Sequence, residues 1–501
     1  AVTLVGRNVV ANFAGRLWAT LLSLAVVPLY LRLLGVETYG LLGIYTSLTA
    51  IFSLLDLGLG NLLNRRLAQS VDTPAGIAES ADFTRTLECV YLAVGLLIGV
   101  ITVAAAPFIA WHWVKPQGLS ASTVEETLRL MGVAIAVQWP RALYAGGLMG
   151  QQRQVLLNVI SSGSATALNL GGALVVWFMS PTIQALVAWT IVVGVCDTVV
   201  TRQVLLAKLR SQDARPRFRW AMIMQEWRFA AGMTGISVMA VVLTQLDKII
   251  LSRVLTLEAF GYYTLAWRVA SCLYPLVSPV ASAYFPRLSQ LSDGSDPGTL
   301  SRLYHEGCQY VSAIVFPVAA ILAFFATPLL ALWTHDMDTA RNAGPTLALL
   351  AAGTAINAAM NLPLTLQLAH GWTRLVFLTN AVAVALLGPL IYWMSLHHGG
   401  FGAAAVWLTL NLGYLVVLMQ LMHRRLLRGE LLRWYLHDIG LPLAACIVMA
   451  GSWRWLVWDG VVDAAALIVI GTASFTTLCA GVYATPCARA IAVRFIRPAV
   501  A

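Results

Sequence analysis

Arg32-Leu33-Leu34-Gly35-Val36-Glu37-Thr38-Tyr39-Gly40 recurs in outline 221 positions later as Arg253-Val254-Leu255-Thr256-Leu257-Glu258-Ala259-Phe260-Gly261, a shared R-x-L-x-x-E-x-aromatic-G. The same shift lays Arg66-Leu67-Ala68-Gln69 on Arg287-Leu288-Ser289-Gln290. Two matches separated by an apolar stretch of about 25 residues, with no gap needed between them, mark the duplication of one helical-hairpin unit. The chain reads as two related halves.

Hydrophobic residues fill 59% of the 501 positions and charged residues 11%, with a mean hydropathy of +0.77, whereas a soluble domain is about a quarter charged. The expected class is an all-α polytopic membrane protein. No basic region, short apolar core and small-residue cleavage site stands at the start, so the first apolar helix is expected to be structural.

A span takes about 20 apolar residues, and the sequence offers fourteen such segments. Twelve fall at Asn8–Leu31, Tyr39–Leu63, Thr86–Ala110, Val124–Met149, Val155–Met179, Ile183–Leu206, Phe229–Leu251, Phe260–Phe285, Tyr304–Leu332, Ala343–Ala369, Leu375–Leu396 and Phe401–Met422. A last pair follows at Ile439–Val457 and Val461–Thr485. With the duplication, this predicts two pseudo-symmetric six-helix lobes, residues 1–220 and 221–435, related by an axis along the membrane normal. Residues 436–501 add helices 13 and 14 and a cytoplasmic tail. The longest loop runs from Asn64 to Arg85, which leaves no room for a soluble catalytic domain.

Seven cysteines, Cys89, Cys196, Cys272, Cys308, Cys446, Cys479 and Cys487, lie in or beside apolar helices without CxxC or ligand spacing, so neither a disulfide framework nor a metal site is expected. The net charge of +10 would suit nucleic acid, but its placement argues for topology. One set of alternate loops holds 20 Lys/Arg; the other holds Arg32, Lys115, Arg253, Arg341 and Arg454. By the positive-inside rule both termini are cytoplasmic. The dense clusters Lys208–Arg219 and Arg424–Arg433 follow the sixth and twelfth helices, as topology signals or as attractors of anionic lipid headgroups.

The remaining basic residues, Arg16, Arg129, Arg141, Arg202, Arg228, Lys248 and Arg268, fall inside or at the edges of helices. A charge at mid-bilayer costs at least ~2.5–3.5 kcal/mol on insertion scales, so it seeks a partner or a watery cavity. Arg16, Asp56 and Arg141 each lie about 12 Å from the cytoplasmic end of their helices, at 1.5 Å per residue. Arg16 and Asp56 can be read as a bridge between helices. Arg141, after Trp139-Pro140, has no such partner, and the surplus of positive charge points to an anion. Asp247-Lys248 lies near the outer end of the seventh helix, where Lys248 either snorkels or faces inward. Arg268 is too deep to snorkel, and Asp197 has Arg202 as a local partner. Prolines at 28, 140, 275, 279, 317, 328, 363 and 389 interrupt the helices, and Pro275 and Pro279, beside Arg268, suit a bending, cavity-lining helix.

Asp247-Lys248-Ile249-Ile250-Leu251-Ser252-Arg253, Gly399-Gly400-Phe401-Gly402, Leu34-Gly35-Val36-Glu37-Thr38-Tyr39-Gly40 and Asp56-Leu57-Gly58-Leu59-Gly60 resemble the polysaccharide-transporter (O-antigen or exopolysaccharide flippase) family of the multidrug/oligosaccharidyl-lipid/polysaccharide exporter superfamily, along essentially the whole chain. The appended pair is similar to that of the lipid II flippase, where it forms a lipid-tail groove. The resemblance implies a non-enzymatic flippase of the bacterial inner membrane. Such a protein carries undecaprenyl-pyrophosphate-linked glycan to the periplasmic leaflet by alternating access, working among membrane lipids and alongside polysaccharide polymerase machinery.

On this reading Arg16, Arg141, Arg268 and Lys248 hold the pyrophosphate and glycan, the three arginines in one cavity. Asp56, then Asp197 and Asp247, are the candidates for a coupling H⁺ or Na⁺. No cofactor and no nucleic-acid partner is expected. Lipid II and drugs are the alternative cargoes, a drug cavity being expected to be acidic. A membrane-embedded glycosyltransferase or polymerase would need a larger outer loop with paired carboxylates than Glu125-Glu126 or Asp336 and Asp338 provide.

Overall fold

The computed structural model describes residues 4–69, 73–209, 216–292, 296–457 and 464–490. Part of the basic cluster after the sixth helix, 210–215, and the tail with Arg494 and Arg497 lie outside the described residues. The described backbone is helical and contains no strand. Ten of the described helices are long and apolar enough to cross a membrane, and one of these, Arg374–Leu426, joins two helices across a kink at Gly399. An α-helix suits a bilayer because it satisfies each backbone amide within its own segment.

Their ends follow local chemistry. Thr73, Ser120, Thr182 and Asp296 each accept a hydrogen bond from the amide three residues on, and Asp336 accepts from Asp338 and Thr339, which satisfies amides left open in the first turn. Pro28, Pro140 and Pro275 sit where one helical piece gives way to the next, whereas Pro317 and Pro389 stay inside helices.

Contacts divide the chain into two units, Ala1–Gly261 and Tyr262–Ala501. In the first, the Leu59–Gln69 helix packs on Arg141–Gly150. A Cβ on Gly146 would stand 2.4 Å from the Gly60 carbonyl oxygen, so that crossing requires glycine. Tyr91, Tyr144, Phe83 and Leu63 fill the core beside it. In the second, Pro297–Phe324 is the central post: Tyr304, Cys308, Val311, Val315 and Phe316 bury one face, and Trp434, Cys446 and Ala450 of the appended helices close on it.

The duplicated motif packs on itself inside the first unit. A Cβ on Gly40 would stand 2.6 Å from the Leu257 carbonyl oxygen, and one on Gly261 would stand 2.3 Å from that of Val36. Each contact maps onto the other under the 221-residue shift, the reciprocity of a local two-fold axis. Glu37, in the same motif, accepts the amides of Gln117, Gly118 and Leu119 at 2.6, 2.9 and 2.7 Å, and Leu257 donates its amide to the Lys115 carbonyl at 2.9 Å. The motif therefore codes a helix crossing together with the loop that pins it.

Candidate functional site

Arg141 opens a new helix after the break at Trp139-Pro140. Its Nε donates to Asp197, and Nη2 donates to Ser161 Oγ at 2.7 Å. The Asp197 carboxylate is further fixed by Thr201, whose hydroxyl lies 3.4 Å from Oδ1. Asp197 thus answers Arg141 across helices rather than Arg202 along its own, because Arg202 turns to Glu88. A guanidinium has five N–H donors, so three of Arg141's remain for an anion, and 29% of its side chain is exposed.

Arg16 and Arg268 are exposed on apolar helices, and no carboxylate among the described residues lies within ion-pair distance of either. The Arg16–Asp56 bridge allowed by the sequence is not formed. Asp56 instead ends its helix: Leu57 and Gly58 follow with φ of 48° and 74°, and the Asp56 carboxylate accepts the Tyr91 hydroxyl and bonds to the backbone of Gly58 and Gly60. A carboxylate at the start of the Leu59–Gln69 helix satisfies amides there and complements the positive end of its dipole.

Lys248 does not snorkel. It is 6% exposed, its Nζ 3.2 Å from Asp247 and 2.9 Å from the Thr244 carbonyl. Both basic and apolar groups line a cavity of about 270 Å³ there, with Ile44, Leu48, Ile51 and Phe108 beside Lys248 and Ser252. Ser47 also lines it, and its buried hydroxyl has no partner among the described residues.

Two clusters escaped the sequence reading. Glu88, 2% exposed, receives Arg202 at 2.5 Å, Arg85 at 2.7 Å and the Tyr144 hydroxyl at 2.7 Å. Six residues earlier on the same helix, Asp82 takes the Arg217 amide at 2.6 Å and Arg219 Nε at 2.9 Å, which ties the linker after the sixth span to this helix. In the second unit His305 meets both Asp438 and Glu430, and Gln309 donates to Asp438 at 3.0 Å. The detectable signal was the i, i+4 spacing of His305 and Gln309, which puts two polar side chains on one helix face. Their carboxylate partners lie more than a hundred residues away and carry no local sign.

The sequence model of the family described as polysaccharide biosynthesis protein matches residues 30–334. A Shigella flexneri protein named "Putative O-antigen transporter" is 22% identical over 408 residues, which is 80% of this chain and 93% of that protein. Among solved structures, the fold is similar to that of the lipid II flippase MurJ in an inward closed conformation, with a TM-score of 0.70 at 11% identity over 94% of this chain and 97% of that one. It is similar also to an inward-facing MATE multidrug resistance transporter of the MOP superfamily, with a TM-score of 0.63 at 13% identity over 84% of this chain and 94% of that one.

Proposed function

This chain belongs to the polysaccharide biosynthesis protein family, and from that premise we propose that it flips an undecaprenyl-pyrophosphate-linked oligosaccharide from the cytoplasmic to the periplasmic leaflet of the bacterial inner membrane, for O-antigen or exopolysaccharide synthesis. The observation that carries the reading is Arg16 and Arg268, two guanidinium groups on apolar helices with no carboxylate to neutralise them among the described residues. Such groups are costly in a bilayer unless an anion joins them, and planar guanidinium forks match the oxygens of a diphosphate. The loop charges support cytoplasmic termini.

Arg141 then acts as an exchange point. When a phosphate oxygen takes its free donors and draws the side chain over, Asp197 loses its partner in a poorly solvated place, and binding H⁺ or Na⁺ there becomes favourable. Asp56 and Asp247 are the other acids placed for such a role, and Lys248 offers a second cation beside an apolar cavity. Because an ion with equal affinity for both conformations shifts nothing, coupling requires that this exchange occur in only one stage of the cycle.

Reconstituted into proteoliposomes with a labelled lipid-linked oligosaccharide, Arg16→Ala and Arg268→Ala should each slow flipping by about ten- to a hundredfold, the worth of one charge-assisted hydrogen bond of ~1.5–3 kcal/mol, with Lys retaining part. Unchanged flipping in both would overturn the assignment. Lipid II is the second cargo to consider, favoured by the helix pair Leu431–Leu456 and Ala464–Ala484. The carrier-linked glycan that accumulates in a strain lacking the protein separates the two.

A further inference from the structure

The appended helices meet the core of the second unit at a buried histidine. His305, 2% exposed, stands between two acids: Nδ1 meets Asp438, which is fully buried, and Nε2 lies 3.1 Å from Glu430 Oε2. A neutral imidazole has one N–H and one lone pair, so with a carboxylate at each nitrogen one contact would set lone pair against lone pair. Both contacts are satisfied only when the three groups together hold one proton more than a neutral ring and two carboxylates do.

The surroundings narrow where that proton lies. Glu430, just ahead of the Leu431–Leu456 span, is pushed up by burial, but bonds from Ser301 and His305 and the Arg433 charge outweigh this and hold its carboxyl below the usual range. Asp438 has the Gln309 amide at 3.0 Å as its other donor. His423 faces the cluster across Tyr304: its Nδ1 donates to the Met419 carbonyl at 2.8 Å and its Nε2 lies 3.1 Å from the Tyr304 hydroxyl. Tyr304, Tyr435, Cys308 and Cys487 are further titratable groups alongside, with Glu306 next to Cys487. No group of His, Cys, Asp and Glu among the described residues could hold a metal ion, consistent with a ring placed between its acids rather than beside them.

We propose that Asp438, His305 and Glu430 form a proton-binding site that latches the helices Leu431–Leu456 and Ala464–Ala484 onto the body of the second unit. Loss of the proton leaves one carboxylate, fully buried Asp438 or half-buried Glu430, facing a lone pair of the ring, and loosens the joint. The latch stands apart from the cargo proposed above, so its test reads docking and not transport.

In lipid nanodiscs, amide exchange of Leu431–Leu456, corrected for the intrinsic effect of pH, is followed from about pH 5 to about pH 9. Protection should fall as pH rises, by up to about tenfold per pH unit, the limit for release of one proton, while Ala121–Gln138 in the first unit stays constant. His305→Gln, which cannot take up the proton, should show weak protection without that pH dependence. Asp438→Asn supplies an amide donor to the neutral ring, so protection should persist at high pH; this variant also separates loss of the latch from failure to fold. Flat protection in the wild type, or the wild-type pH profile in either variant, overturns the proposal.

Discussion

At the scale of the residue, the decisive quantity is how many donors each buried charge still has free. Arg141 is tied to Asp197 and Ser161, so removing either charge strands the other. Asp197→Ala should therefore lower the thermal unfolding midpoint more than Arg141→Ala/Asp197→Ala does, with a coupling of about 0.5–3 kcal/mol in the double-mutant cycle. Additive effects would mean the pair is not maintained in the membrane. Gly58, at φ 74°, lets the chain turn after Asp56, and Gly58→Ala should destabilise by about 1 kcal/mol. The helix cap Asp336 is held below the usual carboxylate range chiefly by the Thr339 hydroxyl. Its contribution of about 1 kcal/mol is therefore present above the ordinary Asp pKa and lost as pH falls through the lower, folded value; Asp336→Ala should remove that acid-side dependence from an unfolding titration. Which acid meets which base was not legible in the sequence. Arg202, five residues from Asp197, turned to Glu88 because helix neighbours, not chain neighbours, decide buried pairs.

At the scale of the element, the apolar segments were legible because a bilayer imposes length and composition together. Breaks marked by proline, such as Trp139-Pro140, were legible as well. The break at Asp56-Leu57-Gly58 was not, since it rests on two positive φ values and a side chain capping the next turn. The repeated glycines carry an element-scale prediction. A Cβ at Gly40 or Gly261 runs into a backbone carbonyl, which cannot rotate aside as a side chain would. Gly40→Ala and Gly261→Ala should each cost about 1–3 kcal/mol, read as a lower unfolding midpoint. Gly163→Ala, with nothing within 4 Å, is the control and should be neutral or stabilising. Equal behaviour of all three would remove the crossing from the account.

At the scale of the whole molecule, the chain is a membrane transporter fold in which cations outnumber the acids placed to neutralise them. The helical class and the family resemblance could be read from the sequence, because apolar composition and the family match extend over hundreds of residues and survive errors at single positions. The central claim is that the surplus charge serves a diphosphate. It is tested most directly by proteoliposomes carrying the purified protein and two labelled lipids with the same oligosaccharide, one on undecaprenyl pyrophosphate and one on a neutral polyprenyl carrier. The account predicts fast flipping of the first only, lost in Arg16→Ala and Arg268→Ala. Equal flipping of both carriers, or flipping of the diphosphate lipid that is indifferent to both arginines, would contradict it.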